Sequence, residues 1–114
     1  MKVIIAGSRT INVYFYAEEA IRDSGFAITE VVCGMARGVD MLGYRWAKKH
    51  GIPIKEFPAD WERLGKAAGR ARNWEMARYA EALIAMTNGS SGTRHMIETA
   101  RTQGLKVFVK EVKL

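Results

Sequence analysis

Short apolar runs alternate along the chain with segments whose apolar residues recur at helical spacing. The runs are partly β-branched and are followed by glycine, proline or a polar residue, which is typical of strands in a parallel sheet. They occupy residues 2–6, 30–33, 52–57, 82–86 and 106–110. The segments with helical periodicity occupy residues 13–24, 39–50, 70–80 and 93–103. Gly25, Gly51 and Gly104 follow three of them and are typical helix stops.

The alternation of strands and helices predicts an α/β fold. Right-handed βαβ crossovers place such strands in parallel and cover both faces of the sheet with helices. We therefore expect a Rossmann-like three-layer sandwich with a mostly parallel sheet of about five strands. A chain of 114 residues fits one domain, 1–114, with one core. The regularity lapses at residues 58–69, which the sequence predicts to be a long irregular connection.

The fold class selects the loops where a ligand would bind. In open parallel sheets, ligands bind beyond the carboxyl ends of the strands, at the point where strand order reverses. The loops that follow the first four predicted strands are residues 7–10, 34–40, 58–69 and 87–93. We expect them to meet at one edge of the sheet.

The loop after the fourth strand is the most informative, because it joins a strand to a helix. Its residues are Asn88, Gly89, Ser90, Ser91, Gly92 and Thr93. The glycines permit a tight turn, the hydroxyl groups can donate, and amides at a helix start attract an anion. The sequence therefore predicts a phosphate-binding turn, although Ser91 or Thr93 can instead simply cap the helix. It is neither a Walker A loop nor a dinucleotide fingerprint.

Two further loops add cations at the same predicted edge. After the second strand, Arg37 lies between Gly34 and Gly38, and a guanidinium can pair bidentately with a phosphate or a carboxylate. Asp40 of that loop either belongs to the site or caps the following helix. The loop after the first strand offers another cation beside hydroxyl groups. Its residues are Gly7, Ser8, Arg9 and Thr10.

The basic region after the third strand is ambiguous. Trp61, beside Asp60, either stacks on a base or covers a pocket, and Lys66 adds a charge nearby. Arg72 and Asn73 fall on a predicted helix, where a solvent-facing arginine is the common alternative. Position alone does not decide between these roles.

The amino-acid composition narrows the kinds of partner that we expect the protein to bind. Eighteen Lys and Arg residues against twelve Asp and Glu residues give a net charge of +6, which favours an anionic partner. A nucleic acid is a weaker expectation, because no sustained basic stripe with interleaved aromatic residues is present.

The apolar runs are shorter than the roughly 20 residues that a bilayer span needs. The single cysteine, Cys33, suits a reducing compartment, so we expect a cytoplasmic protein without a metal or a cofactor. Open sheet edges favour self-association, so we expect a homo-oligomer, a dimer or larger.

Six sequence blocks together resemble the YspA-like branch of the SLOG superfamily. They are Gly7-Ser8-Arg9, residues 34–40, Phe57-Pro58-Ala59-Asp60-Trp61, residues 65–69, Arg72-Asn73-Trp74-Glu75-Met76 and residues 89–93. The resemblance covers nearly the whole chain and implies a Rossmann-like fold with a site for a nucleotide derivative. It also implies that six residues of these blocks line the pocket. They are Arg9, Arg37, Asp60, Arg72, Asn73 and Thr93.

The superfamily includes LOG-type phosphoribohydrolases, ligand-sensing domains and the DNA-binding DNA-processing protein A. The LOG enzymes carry Pro-Gly-Gly-x-Gly-Thr followed within three residues by a glutamate. In this chain Arg94, His95 and Met96 follow Thr93, so that glutamate is missing. The resemblance therefore implies a protein that binds ADP-ribose, cyclic ADP-ribose or an NAD-like ligand, as a sensor or by sequestering it.

An N-glycosidase is the alternative hypothesis. Its oxocarbenium-like transition state requires a carboxylate near the ribose. The candidates are Asp60, Glu75 and Glu98.

Overall fold

A computed structural model describes residues 1–113 of the chain. The five strands are β1 (Lys2–Gly7), β2 (Glu30–Cys33), β3 (Ile54–Glu56), β4 (Ala82–Thr87) and β5 (Lys106–Glu111). The five α-helices are α1 (Tyr14–Ser24), α2 (Val39–His50), α3 (Trp61–Leu64), α4 (Ala68–Tyr79) and α5 (Ser91–Thr102). A turn of 3₁₀-helix, Gly65–Ala67, joins α3 to α4.

The strands form one sheet in the order β3-β2-β1-β4-β5, and every neighbouring pair is parallel. The chain builds the sheet outward from β1 through β2 to β3, and then crosses to the other side of β1 to add β4 and β5. Strand order therefore reverses between β1 and β4. This arrangement confirms the predicted Rossmann-like α/β fold, with a sheet that is entirely parallel.

Two apolar layers cover the sheet, one on each face. In β1, Val3 and Ile5 belong to the layer beneath α1 and α2, while Ile4 and Ala6 belong to the layer beneath α4 and α5. The assignment alternates because successive side chains of a strand point to opposite faces. Burial on both faces explains why this strand is apolar at every interior position.

Helix α2 packs unusually close to β1 at Gly43. A Cβ atom at this position would lie 2.7 Å from Ile5. Glycine therefore allows the helix to approach the central strand closely.

The prediction of an irregular connection at residues 58–69 was wrong, because most of that segment is helical. The Asp60 side chain accepts a hydrogen bond from the Arg63 N–H and caps α3. The helix α4 then begins at Ala68, before the predicted residue 70. Pro58, Gly65 and Gly69 obscured these short helical turns in the sequence pattern.

Strand β3 and helix α5 also differ from the predicted bounds. The strand predicted at residues 52–57 is limited to Ile54–Glu56, because the Ile52 N–H bonds to Ala47 O in the last turn of α2. Helix α5 begins at Ser91, not at residue 93, so part of the predicted turn is its first helical turn. Within residues 1–113, no helix has both the length and the apolar character required to cross a membrane.

Candidate ligand-binding site

A cavity of about 460 Å³ opens beyond the carboxyl ends of β1 and β4, where strand order reverses. Pockets for small molecules typically range from roughly 300 to 1,000 Å³. Helices α4 and α5 supply its far wall. The expected site residues that line it are Gly7, Ser8, Arg9, Asp40, Trp61, Lys66, Arg72, Asn73, Ser90, Ser91, Gly92 and Thr93.

A chain of hydroxyl groups joins the loops after β1 and β4. Ser8 is only 2% exposed, and its Oγ accepts a hydrogen bond of 3.1 Å from the Asn88 N–H. Ser8 Oγ also lies 2.9 Å from Ser90 Oγ, which lies 2.7 Å from Thr93 Oγ1. Hydroxyl protons can rotate to suit a ligand, so this chain can turn a donor toward a bound oxygen.

The first turn of α5 is open toward the cavity. Ser90 is its N-cap residue, yet no side chain within residues 1–113 caps the helix. A Cβ atom added at Gly92 would meet nothing within 4 Å. The amides of the first helical turn have no partner within the helix, and the helix dipole favours an anion beside them. This end of α5 can therefore accept a phosphate group.

The charged groups around the cavity are mostly cations. Four basic side chains line it, those of Arg9, Lys66, Arg70 and Arg72. Among the described residues of its wall, Asp40 is the only carboxylate. A concave site lined mainly by one sign of charge concentrates ions of the opposite sign. The electrostatics therefore favour an anionic ligand.

Arg72 is held at the junction of two loops. Its Nη1 donates a 3.0 Å hydrogen bond to Gly34 O, while its Nε is buried and has no partner among the described residues. A Cβ atom at Gly34 would lie 2.8 Å from Asp40 Oδ2 and 3.1 Å from Arg72 Nε. Gly34 thus permits the close packing of these side chains and does not itself line the main cavity. The alternative of a freely solvated Arg72 is wrong.

Asp40 lies deep in the cavity wall and is 4% exposed. Its Oδ2 accepts a 3.2 Å hydrogen bond from the Ala36 N–H. Burial raises the pKa of Asp40 to about 6, against the lowering effects of that hydrogen bond, of Arg72 and of Arg9. The alternative that Asp40 is the N-cap of α2 is wrong, because Gly38 occupies that position with φ of 80°.

Gly38 and Arg37 do not line the main cavity. A Cβ atom at Gly38 would lie 2.5 Å from Ser8 O, so Gly38 brings the loop after β2 against the loop after β1. Arg37 is exposed and lines a second cavity of about 460 Å³, together with Gly34 and residues of the loop after β3. The two cavities adjoin, because Arg9, Ala36, Trp61 and Arg72 line both.

The remaining expected residues lie outside the lining of both cavities. Asn88 is exposed, and its Nδ2 donates a 2.6 Å hydrogen bond to Thr10 Oγ1, while Gly89 shapes the turn with φ of 100°. Asp60 Oδ2 forms an ion pair of 3.0 Å with Arg63 Nε. Glu75 and Glu98 are exposed on α4 and α5. None of the three carboxylates considered for catalysis lies in the described cavity lining.

Several lining residues were not predicted as site residues. They are Ala6, Thr10, Ala36, Gly69, Arg70, Met76, His95 and Met96. Asn73 Nδ2 lies 3.0 Å from His95 Nδ1, which links α4 to α5 inside the wall. Burial lowers the pKa of His95, Arg70 lowers it further, and Glu98 acts in the opposite direction. Helical spacing offered a signal for His95, because residues four apart, such as Ser91 and His95, share a helix face.

Strand order 3-2-1-4-5 with a cavity at the switch point defines a Rossmann-like protein of the open-sheet class. The chain belongs to the YspA, cpYpsA-related SLOG family, whose family model matches residues 1–64. It is also similar to the Gene 61 protein of Mycobacterium phage D29, with 36% identity over 118 aligned positions that cover 94% of each chain. No solved structure gave a significant match. The family assignment confirms the resemblance seen in the sequence.

Proposed function

We propose that the cavity between β1 and β4 binds the phosphates of a nucleotide derivative. The observation that carries this proposal is the convergence of three kinds of anion-binding group on one cavity. These groups are the open first turn of α5, the hydroxyl chain from Ser8 to Thr93, and four basic side chains. Membership of the SLOG family supports a nucleotide-related ligand in particular.

The ligand that best fits this proposal has a diphosphate, as ADP-ribose, cyclic ADP-ribose and NAD do. The adjoining second cavity gives such a ligand room beyond the phosphate-binding region. Trp61 is 51% exposed at the boundary of both cavities and offers a flat surface that can cover the ligand there. Arg9 and Arg72 line the same boundary and can contact a diphosphate that crosses it.

We further propose that the protein holds this ligand without cleaving it. Cleavage of an N-glycosidic bond needs a carboxylate near the ribose to stabilise positive charge. Asp60, Glu75 and Glu98 lie outside the cavity lining. Asp40 lines the cavity, but it is 4% exposed and its Oδ2 accepts the Ala36 N–H, so burial leaves little of this carboxylate to face a ribose. Arg94, His95 and Met96 follow Thr93, where a LOG enzyme carries its glutamate. A role in sensing or sequestering the ligand is consistent with these features.

Calorimetric titration with ADP-ribose, cyclic ADP-ribose, NAD and AMP tests the binding proposal. We expect Arg72→Gln to weaken binding by about tenfold to a hundredfold, the usual effect of losing a hydrogen bond to a charged group. Arg70→Gln provides a second test, because Arg70 is exposed and its replacement should leave folding intact. Arg78→Gln is the matched control, since Arg78 is exposed on α4 outside the cavity lining.

The same incubations distinguish binding from cleavage. We expect chromatography to recover the ligand intact and without free base. Release of a base that stops when one carboxylate is changed to its amide would support the glycosidase alternative. Folded protein that binds none of the four compounds would overturn the proposal.

A further inference from the structure

Asn73 and His95 form a polar pair inside the cavity wall that the phosphate-binding proposal does not use. Asn73 lies on α4 and is 6% exposed, and His95 lies on α5 and is half-buried. Asn73 Nδ2 lies 3.0 Å from His95 Nδ1, and both residues line the cavity. Buried polar groups are usually paired, and this pairing constrains the position of the imidazole ring.

The pair also fixes where the imidazole proton resides. An amide nitrogen can only donate, so His95 Nδ1 must accept, and in the neutral ring the proton is then on Nε2. The neighbouring charged groups are Arg70 on α4 and Glu98 on α5. Burial and Arg70 both lower the pKa of His95, against the opposing effect of Glu98, and so favour the uncharged ring. His95 therefore offers one N–H donor and no net charge.

The position of His95 separates it from the phosphate-binding end of the cavity. It lies four residues after Ser91, which is roughly 6 Å further along the axis of α5. Two buried methionines, Met76 and Met96, line the cavity on the same two helices. Thioether side chains provide a polarizable apolar surface that suits an aromatic ring better than a phosphate.

We propose that His95 Nε2–H donates a hydrogen bond to an uncharged acceptor on the nucleobase of the ligand, and that Asn73 is the positioning residue that orients it. The acceptor is a ring nitrogen or a carbonyl oxygen of the base. This inference rests on the proposed function and extends it to the choice of base. A neutral donor fixed in one orientation rejects a base that presents a donor at that point, because two donors then face each other unpaired.

Calorimetry tests the contact with two probes, ADP-ribose and ribose 5-phosphate, which lacks a base. We expect His95→Ala to weaken ADP-ribose binding by about tenfold, as the loss of one buried hydrogen bond does, and to leave ribose 5-phosphate binding unchanged. His95→Gln should restore most of the affinity, since its side-chain amide also carries a donor. His50→Ala is the control, because His50 is exposed on α2 outside the cavity lining.

Deaza analogues of ADP-ribose locate the acceptor. The analogue that lacks the contacted ring nitrogen should bind wild type and His95→Ala equally, whereas the other analogues should still distinguish them. Equal binding of every probe to wild type and His95→Ala would overturn the inference and leave the proposed function intact. Equal weakening of both ADP-ribose and ribose 5-phosphate would assign His95 to the phosphates instead. Failure of all probes to bind wild type would overturn the proposed function itself.

Nitrogen-15 NMR of the histidine ring tests the role of Asn73 without any ligand. We expect the free protein to show His95 protonated at Nε2 and accepting at Nδ1. In Asn73→Asp, a carboxylate replaces the amide donor, so Nδ1 should become protonated and the ring should acquire the signature of the charged form. An unchanged His95 spectrum in this variant would show that Asn73 does not set the proton position.

Discussion

The two halves of the proposed ligand-binding edge differ in how their polar groups are held. In the inner half, which comprises the loops after β1 and β4, Ser8 and Thr93 are buried and belong to one hydroxyl chain. In the outer half, which comprises the loops after β2 and β3, Arg37 is exposed and Asp60 bonds to Arg63 within its own turn. Groups already held in place lose little freedom on binding, whereas exposed groups must first be ordered. The inner half therefore suits the constant part of a ligand, and the outer half suits an adjustable part.

Disrupting the contact between the two halves at Gly38 should have the largest effect on stability. Gly38 has φ of 80°, and a Cβ atom there would lie 2.5 Å from Ser8 O and from Arg9 Cα. We expect Gly38→Ala to reduce the free energy of unfolding by about 3 kcal/mol or more, through backbone strain together with overpacking. Gly65 is the matched control, because its φ of 54° and ψ of −131° are close to the φ of 80° and ψ of −132° at Gly38, and a Cβ atom there meets nothing within 4 Å. Gly65→Ala should lose only the part that is due to backbone strain, about 1–3 kcal/mol.

Urea unfolding of both variants measures this difference. Equal losses would mean that the positive φ alone makes glycine necessary at Gly38, and that the contact between the two loops adds nothing.

Replacing Asp40 should change the free energy of unfolding by a smaller amount, and this change should depend on pH. Its pKa rises on folding from 3.8 to about 6, so the folded protein binds this proton more tightly than the unfolded chain. The resulting stabilisation is fully present below about pH 4 and is lost as the pH rises through about 6. Asparagine keeps an acceptor for the Ala36 N–H without a charge. We therefore expect Asp40→Asn to be more stable than wild type above pH 7, by at most about 3 kcal/mol.

The difference in unfolding free energy between wild type and Asp40→Asn, followed from about pH 4 to about pH 8, isolates this carboxylate from the others. It should grow with pH and level off above about pH 7. A difference that stays constant across the range would contradict a raised pKa.

Replacing Arg37 should have the smallest effect, and it should change only the affinity for the ligand. It is exposed in the outer half, where solvent and salt weaken its attraction for a phosphate. We expect Arg37→Gln to weaken ADP-ribose binding by no more than about fivefold, the usual limit for an exposed charge pair. The loss should shrink as salt is added. A loss as large as that of Arg72→Gln would show that the outer half is as ordered on binding as the inner half.

The fold was largely predictable because its signals are local and repeated. Apolar runs that end at Gly7 and Gly34, and helices that end before Gly25 and Gly51, correspond to the observed elements within one or two residues. Residues 58–69 were the exception. Their short helical turns are held by the Asp60 cap and contain too few residues to show periodicity, so the glycines and the proline dominated the pattern.

The site was predictable only where backbone position defines it. The rule for open sheets located the loops after β1 and β4, and the structure places Ser8, Ser90 and Thr93 together there. Arg70 and His95 were missed because their roles depend on how α4 packs against α5, which the sequence of either helix alone does not specify. Gly34 and Gly38 were expected to contact a ligand. Gly34 lines the second cavity, and both glycines also let neighbouring groups approach closely, which the sequence alone does not show.

The hydrogen bond between Ser8 and Ser90 joins residues 82 positions apart in the chain. The proposed phosphate-binding region therefore exists only after β1 and β4 have paired, which is a long-range step that requires most of the domain. A compound held there is bound by the folded chain and released by the unfolded one, so its affinity adds directly to global stability. The melting temperature of this small protein should therefore rise when a ligand occupies the cavity. A thermal-shift screen of nucleotides would rank ligands by affinity.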